Sequence, residues 1–328
     1  MALWLRQMGA EVTGYALAPH TEPNLYGLLG TSQSHIGDIR DEARVRDALI
    51  AADPHFVIHM AAQALVRESY RDPIGTYATN VMGTAILLQA CRALKHLEGV
   101  LIVTSDKVYE NHDEGRPFTE DDRLGGHDPY SNSKACAELL TGSFSRSFFA
   151  EAAPIATVRA GNVIGGGDWS ADRLIPDCIR ALAANETVVL RYPNAIRPWQ
   201  HVLEPLSGYL TLAQALVETP AGAPRAVNFG PNPSSFCTVH EVVDAFSARF
   251  SGKPGWRPDT GANPKEAAAL TLSSALAESL LGWHPRLGVS ESLAWTADWY
   301  KAYAQGEDMV EYSKAQIARY QSLPALRA

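Results

Sequence analysis

The run Gly99-Val100-Leu101-Ile102-Val103-Thr104 is apolar at every side-chain position before its closing threonine. A strand made from it is oily on both faces, and such strands are buried in parallel sheets with helices packed on either side. Similar short runs recur at His55 to Met60 and Ile155 to Arg159, with helix-patterned stretches between them. Strands that alternate with helices in this way predict an α/β protein with a doubly wound parallel sheet.

The intervening segments fit that plan. Asp41 to Ala52 reads as an amphipathic helix, and Pro73 to Lys95 as a long one with Asp72 as its N-cap and Pro73 at the first helical position. Residues 130–149 form a third helix after an acidic, Gly-containing loop over 110–128. Beyond Gly165-Gly166-Gly167-Asp168-Trp169 the rhythm breaks, and Ala226-Val227-Asn228-Phe229-Gly230 reads as one strand returning to the main sheet. The expected organisation is a cofactor domain over 1–165 and a smaller, discontinuous α/β substrate domain over 166–328. No internal repeat or low-complexity tract interrupts it, and the Gly- and Pro-containing 251–264 segment reads as an ordered surface loop.

Two polar clusters carry chemistry. Ser105-Asp106-Lys107 follow the strand that ends at Thr104, and open α/β sheets place their ligands at the carboxyl ends of their strands. Tyr130 and Lys134 are four residues apart on a helix and share one face. An ammonium beside a phenol favours the phenolate, which would make Tyr130 a base able to accept the proton of a sugar hydroxyl. The plain alternatives are a surface Tyr/Lys pair and a polar loop that caps a helix.

Read together, Thr104-Ser105-Asp106-Lys107-Val108-Tyr109-Glu110-Asn111 and Tyr130-Ser131-Asn132-Ser133-Lys134 resemble the extended short-chain dehydrogenase/reductase family, the NAD-dependent epimerases and dehydratases. Within it the chain is most similar to the CDP-glucose 4,6-dehydratases, because Lys107 stands where the dTDP-glucose and GDP-mannose dehydratases carry Glu. The likeness extends through His59-Met60-Ala61-Ala62-Gln63, Asn80-Val81-Met82-Gly83-Thr84, Arg159 to Trp169, Asp172 to Asp177 and Arg197-Pro198-Trp199-Gln200-His201-Val202. It implies a Rossmann-like fold, an NAD cofactor and a nucleotide-sugar substrate, and a homodimer formed through helices 73–95 and 130–149.

The same resemblance supplies residue roles. Asp38 and Ile39 would hold the adenine, and Ala61, Ala62, Gln63, Asn80 and Thr104 would line the cofactor beside Tyr130 and Lys134. Residues Tyr15-Ala16-Leu17-Ala18 offer neither the acidic residue that reads an NAD ribose nor an Arg for NADP, so the preference for NAD rests on the resemblance. Arg173 and Arg197 match phosphate and nucleotide contacts, Asn162 matches a phosphate or sugar contact, and Trp199 either stacks on the base or fills the core. His201 reads as structural. The implied reaction is an internal redox dehydration. Tyr130, sharing a hydrogen bond with Ser105, takes the C4 hydroxyl proton as hydride passes to NAD, and Lys134 holds the ribose. Lys107 then takes the C5 proton and Asp106 protonates the departing C6 hydroxyl, which requires a neutral lysine and a protonated aspartate.

One part of the family pattern is not seen. The segment Met1 to Ala10 reads as the end of a first helix, with Gly9 as its C-cap signal, and Glu11 to Leu17 as the second strand. About 20 residues of a first strand and Gly-rich phosphate turn would precede these in a βαβ unit. A natural protein longer at its N-terminus, through a misassigned start or a truncated record, is the expectation; an inactive fragment is the alternative. A central strand would then be lacking, leaving two interior sheet edges unpaired.

Bulk properties exclude some classes. With 328 residues there is ample material for a core, and a net charge of -8 without any basic run argues against a nucleic-acid partner. Cys91, Cys136, Cys178 and Cys237 are scattered without metal-ligand spacing, so neither a disulfide framework nor a zinc site is indicated. No apolar stretch is long enough to span a bilayer, and the inferred chemistry is that of a cytoplasmic protein. Three rival readings remain: a nucleotide-sugar 4-epimerase, a dehydratase of other nucleotide specificity, and a non-catalytic remnant that binds a partner.

Overall fold

The computed structural model describes residues 1–30, 33–250, 255–261, 263 and 267–326. Of the expected 251–264 surface loop, residues 251–254, 262 and 264 lie outside the described residues, while 256–258 are strand. Helix α1 (Ala2–Gln7) and the short β1 (Gly14–Ala16) come first, followed by α2 (Leu25–Leu29), β2 (Ser34–Ile36), α3 (Glu42–Ala52) and β3 (Phe56–His59). Helices α4 (Val66–Arg71), α5 (Pro73–Tyr77) and α6 (Gly83–Cys91) then lead to β4 (Gly99–Val103), α7 (Pro129–Phe148) and β5 (Ile155–Arg159). Strands β3, β4 and β5 pair in parallel, and a later strand over Ala226–Asn228 joins beside β5.

The parallel plan therefore holds, as a sheet in two parts. Strands β1 and β2 pair with each other, in parallel, and no strand among the described residues pairs β1 with β3. Side chains bridge this gap: Tyr15, Ile39, Val45 and Leu49 pack with Val57, Leu87, Leu88 and Val100 in one apolar cluster. Ile39 lies so close to α6 that a Cβ at Gly83 would come within 2.7 Å of its Cγ2.

Helix α7, which positions the chemistry, begins as its sequence dictates. Asp128 caps it by accepting the Ser131 amide at 2.9 Å, and Pro129 occupies the first turn, where its missing N–H costs nothing. Asp72 caps α5 in the same way through Gly75. The expected single helix over Pro73–Lys95 is instead α5, a π-helical turn over Ala78–Met82, and α6 ending at Cys91. Such single wide turns are typically found where a helix must aim a side chain at a functional region.

After β5, β6 (Val163–Ile164) and α8 (Leu174–Ala184) lead to β7 (Val188–Leu190), β8 (Ile196–Pro198), β9 (Gln200–His201) and α9 (Leu203–Glu218). The returning strand β10 (Ala226–Asn228) is followed by β11 (Phe236–Thr238), α10 (Val239–Ser247), β12 (Trp256–Pro258) and α11 (Ala275–Leu281). Two long helices, α12 (Val289–Ala304) and α13 (Met309–Ser322), close the chain. Small two-stranded ladders join β6 to β9, β8 to β11 and β7 to β12. A second apolar core, including Ile175, Cys178, Trp199, Phe246 and Trp299, lies under these ladders.

Glu204 at the start of α9 is fully buried and ties the last helix down. Its Oε1 accepts the Arg286 and Leu287 amides at 2.9 and 2.6 Å, and its Oε2 accepts the Tyr320 hydroxyl at 2.8 Å. Burial pushes the carboxyl up to about 6 from the usual 4.5. The folded chain therefore binds a proton that the unfolded chain releases between those values, so stability falls as pH rises from 4.5 to about 6 and is flat above. At 1.36 kcal/mol per unit this amounts to about 2 kcal/mol. The Glu204→Gln variant is expected to lack that slope, read as the difference between the denaturant stabilities of the two proteins across pH 4–8.

Candidate active site

The carboxyl end of β4 turns sharply. Ser105 is extended, and Asp106–Val108 form one 3-10 turn that Ser105 caps by accepting the Lys107 amide at 3.2 Å. The Ser105 hydroxyl donates to Asp106 Oδ1 at 3.0 Å. Asp106 is buried, and its Oδ2 has no hydrogen-bond partner. That oxygen lies against the backbone of Gly161: a Cβ there would be 1.7 Å away, so glycine is required at this position. Burial raises the Asp106 carboxyl, against the lowering effect of the Lys107 charge, the Ser105 hydrogen bond and the Arg197 charge. This is the direction a proton donor needs.

Tyr130, near the start of α7, hydrogen-bonds to Ser105. Burial raises its phenol most, Ser105 and Arg173 pull it down, and Asp106 and Asp128 push it up. This corrects the expectation from the four-residue spacing that Lys134 would lower it. The buried Lys134 ammonium instead donates to the Val103 carbonyl at 2.9 Å, and the positive charge that bears on the phenol is that of Arg173. Burial lowers Lys134 to about 8, with the Glu138 carboxylate opposing. On its other side stands His59, whose Nε2 is 3.1 Å from Thr84 Oγ1 and which burial drives down to about 3, leaving it neutral.

Around this centre the expected cofactor residues fall into place unevenly. Ala61, Ala62 and Gln63 follow β3, all half-buried. The π turn points Asn80 at them. Its Oδ1 accepts the Gln63 amide at 2.8 Å, and its Nδ2 donates to the Gln63 carbonyl at 3.0 Å and to Ser133 Oγ at 2.9 Å. Asn80 thus links the loop after β3 to α7, with its amide fully engaged. Thr104 turns its hydroxyl away from the cleft, to Glu138 Oε1 at 2.5 Å and the Val158 carbonyl. Asp38 is gripped by Arg40, through Nε at 2.9 Å and Nη2 at 2.5 Å, and Ile39 is buried.

The substrate-side residues separate in the same way. Asn162 holds a left-handed backbone at φ 48°, a conformation that is uncommon outside glycine and recurs at ligand sites. Arg173 is exposed and donates to the Ala64 carbonyl at 3.3 Å. Arg197 is buried in β8, and its charge reaches Asp106. Trp199 belongs to the core: it is 5 % exposed, donates to the Cys237 carbonyl at 3.1 Å and packs in the second apolar cluster, which removes the base-stacking option. His201 is fully buried and neutral. Three contributors were not foreseen: Gly161, the Arg67–Asp172 ion pair at 2.9 Å that ties α4 to the loop before α8, and the buried Glu138–Arg159 pair. Glu138 was findable, since it continues the Tyr130–Lys134 spacing by one more step of four.

As a whole, a buried acid with a free oxygen, a Ser-bonded phenol and a buried ammonium meet where β4, β5 and α7 converge. Small residues after β3 and a cation at Lys134 suit a nicotinamide nucleotide on this face. The family model described as GDP-mannose 4,6-dehydratase matches residues 20–296. The CDP-glucose 4,6-dehydratase of Salmonella typhimurium is 46% identical over 331 residues, spanning 98% of this chain and 92% of that protein. A dTDP-glucose 4,6-dehydratase of Xanthomonas campestris is 27% identical over 316 residues, spanning 90% and 86%. Among solved structures, MoeE5 in complex with UDP-glucuronic acid and NAD superposes with a TM-score of 0.77 at 25% identity, covering 91% of this chain and 93% of that one.

Proposed function

The chain belongs to the GDP-mannose 4,6-dehydratase family, and on that footing we propose that it is an NAD-dependent CDP-glucose 4,6-dehydratase. The observation that carries this reading is the Asp106 carboxyl, buried, raised and with a free Oδ2, one hydroxyl away from Tyr130. An epimerase needs a phenol and a lysine but has no step in which a leaving hydroxyl must be protonated. CDP-glucose is the substrate named for the relative at 46% identity, which spans nearly the full chain.

The side chains divide the work as follows. Tyr130, as its phenolate, takes the proton of the sugar C4 hydroxyl as hydride leaves C4, with Ser105 in contact with it. NAD bound on this face would supply a ring able to accept hydride from C4 and return it to C6. Once C4 is a ketone its neighbouring C5–H is acidified; Lys107, as its free amine, takes that proton and gives it back to C5 as hydride enters C6, and Asp106 delivers its own from Oδ2 to the departing C6 hydroxyl. Lys134, together with Ala61, Ala62 and Gln63, holds the cofactor's nicotinamide half, and Asp38 lies at the adenine end. Arg173, Arg197 and Asn162 face the nucleotide-sugar side, where guanidinium groups suit a pyrophosphate.

The chain is further read as a cytoplasmic homodimer. Ile74, Met82 and Leu139 are 78, 55 and 61 % exposed on α5, the π turn and α7, apolar positions that a second copy would cover. Among the described residues no helix is long and apolar enough to cross a membrane.

The deciding experiment incubates the chain with NAD and each of CDP-, dTDP-, UDP- and GDP-glucose and follows product mass. Loss of one water from CDP-glucose, with the other three unchanged, is the expected result. An isomer of unchanged mass would establish an epimerase, and turnover of another nucleotide would overturn the specificity. Absence of any product would leave the family assignment standing, and absence of NAD binding as well would favour the binding remnant.

A further inference from the structure

Tyr130 and Lys134 are the first two members of a column on α7 whose third is Glu138, one turn further along and away from the cleft. Its carboxylate is 3 % exposed and carries a complete set of four hydrogen bonds. Oε1 accepts Thr104 Oγ1 at 2.5 Å and Arg159 Nε at 2.8 Å; Oε2 accepts Thr157 Oγ1 at 2.6 Å and Arg159 Nη2 at 2.9 Å. Arg159 in turn donates to the Tyr109 hydroxyl at 2.7 Å, and Tyr109 donates to Asn228 at 2.7 Å.

Two partners of this carboxylate stand on the strand ends that lead into the site. Thr104 precedes Ser105 and Asp106, and Arg159 ends the strand that leads to Gly161 and Asn162. An apolar cluster of equal volume would serve packing at least as well as a buried ion pair. A charge retained at this place points to geometry and electrostatics at the site above it.

We propose that Glu138 is a positioning residue: its carboxylate clamps α7 to the ends of β4 and β5, and its negative charge faces Lys134 from one helical turn below. The groups around Lys134 leave this role to Glu138. His59 from β3 is neutral, Val103 of β4 offers a carbonyl, Thr84 and Asn80 from α6 and the π turn are uncharged, and Arg159 from β5 is neutralised by Glu138 itself. Asp106 at the end of β4 and Tyr130 on α7 are both pushed up by burial, which favours their neutral forms. The consequence for turnover rests on the dehydratase reading, whereas the electrostatic half can be tested on the chain alone.

The chain contains seven lysines, so isotope-labelled lysine side chains can be titrated by NMR, with Lys134→Met identifying the resonance. In Glu138→Gln the Lys134 midpoint is expected to fall by about one unit or more; an unmoved midpoint overturns the proposal, whatever the substrate proves to be. Thr104→Val keeps the charge and removes one arm of the clamp. It is expected to lower kcat on CDP-glucose about tenfold, with KM and the Lys134 midpoint unchanged. Unchanged kcat in a protein whose wild type dehydrates CDP-glucose removes the clamp and leaves the functional assignment standing. Should Glu138→Gln not fold, Thr104→Val decides the clamp, and the Lys134 midpoint in the Arg159→Met/Glu138→Leu double variant decides the charge: it is expected to fall, and an unmoved midpoint overturns that half.

Discussion

Asp106→Asn is expected to arrest the reaction halfway. The variant keeps the hydrogen bond from Ser105 and the fit against Gly161, but an amide has no acidic proton to give to a leaving hydroxyl. Rapid mixing of the NAD-loaded variant with CDP-glucose should therefore show reduced nicotinamide that forms and persists, while the 4-keto-6-deoxy product falls by about a hundredfold to ten-thousandfold. Lys107→Ala should stall at the same stage, because the C5 proton would then have no acceptor. In the wild type the elimination step should weaken on the alkaline side, as rising pH strips the proton that burial holds on Asp106. Product formed at the wild-type rate by Asp106→Asn would remove the acid role from this residue.

Arg159→Met should produce the largest loss of stability. The change strands the Glu138 carboxylate at 3 % exposure with two threonine hydroxyls in place of a guanidinium, and it also removes the donor to Tyr109. Breaking one side of a buried pair costs about 3–5 kcal/mol, far above the value of a surface ion pair. Replacing Glu138 by Leu at the same time should recover much of that loss, since no unpaired charge then remains in the core. Denaturant unfolding of the single and double variants measures both figures. A single variant within about 1 kcal/mol of wild type would show that water reaches the carboxylate.

What could be read from the sequence was what short-range rules determine. The parallel strands at 56–59, 99–103 and 155–159 were legible because a run that is apolar on both faces has few places to go. The cap at Asp72 follows from its place before Pro73, and the Tyr130–Lys134 face from helix geometry. What was hidden depends on contacts distant in the chain. Tyr-x3-Lys does not reveal that the ammonium bonds to Val103, because that carbonyl belongs to another strand. Thr104 and Trp199 have side chains suited to ligand contact, and only packing shows that one reaches beneath α7 and the other into the second core. The π turn follows from where Gln63 and Ser133 lie around Asn80, which no periodicity in 73–95 encodes. The Asp106–Gly161 contact joins two strand ends 55 positions apart.

The two-part sheet has a mechanical meaning. Parallel strands bound edge to edge resist sliding because many hydrogen bonds must break together, and β3, β4, β5 and β10 form such a block. Between β1 and β3 the described residues offer side-chain packing alone, oil against oil, which yields easily to shear. The strand ends that hold Asp106 and Asn162 belong to the hydrogen-bonded block, whereas β1, β2 and α3 are joined to it through side chains, the Asp53–His96 contact among them.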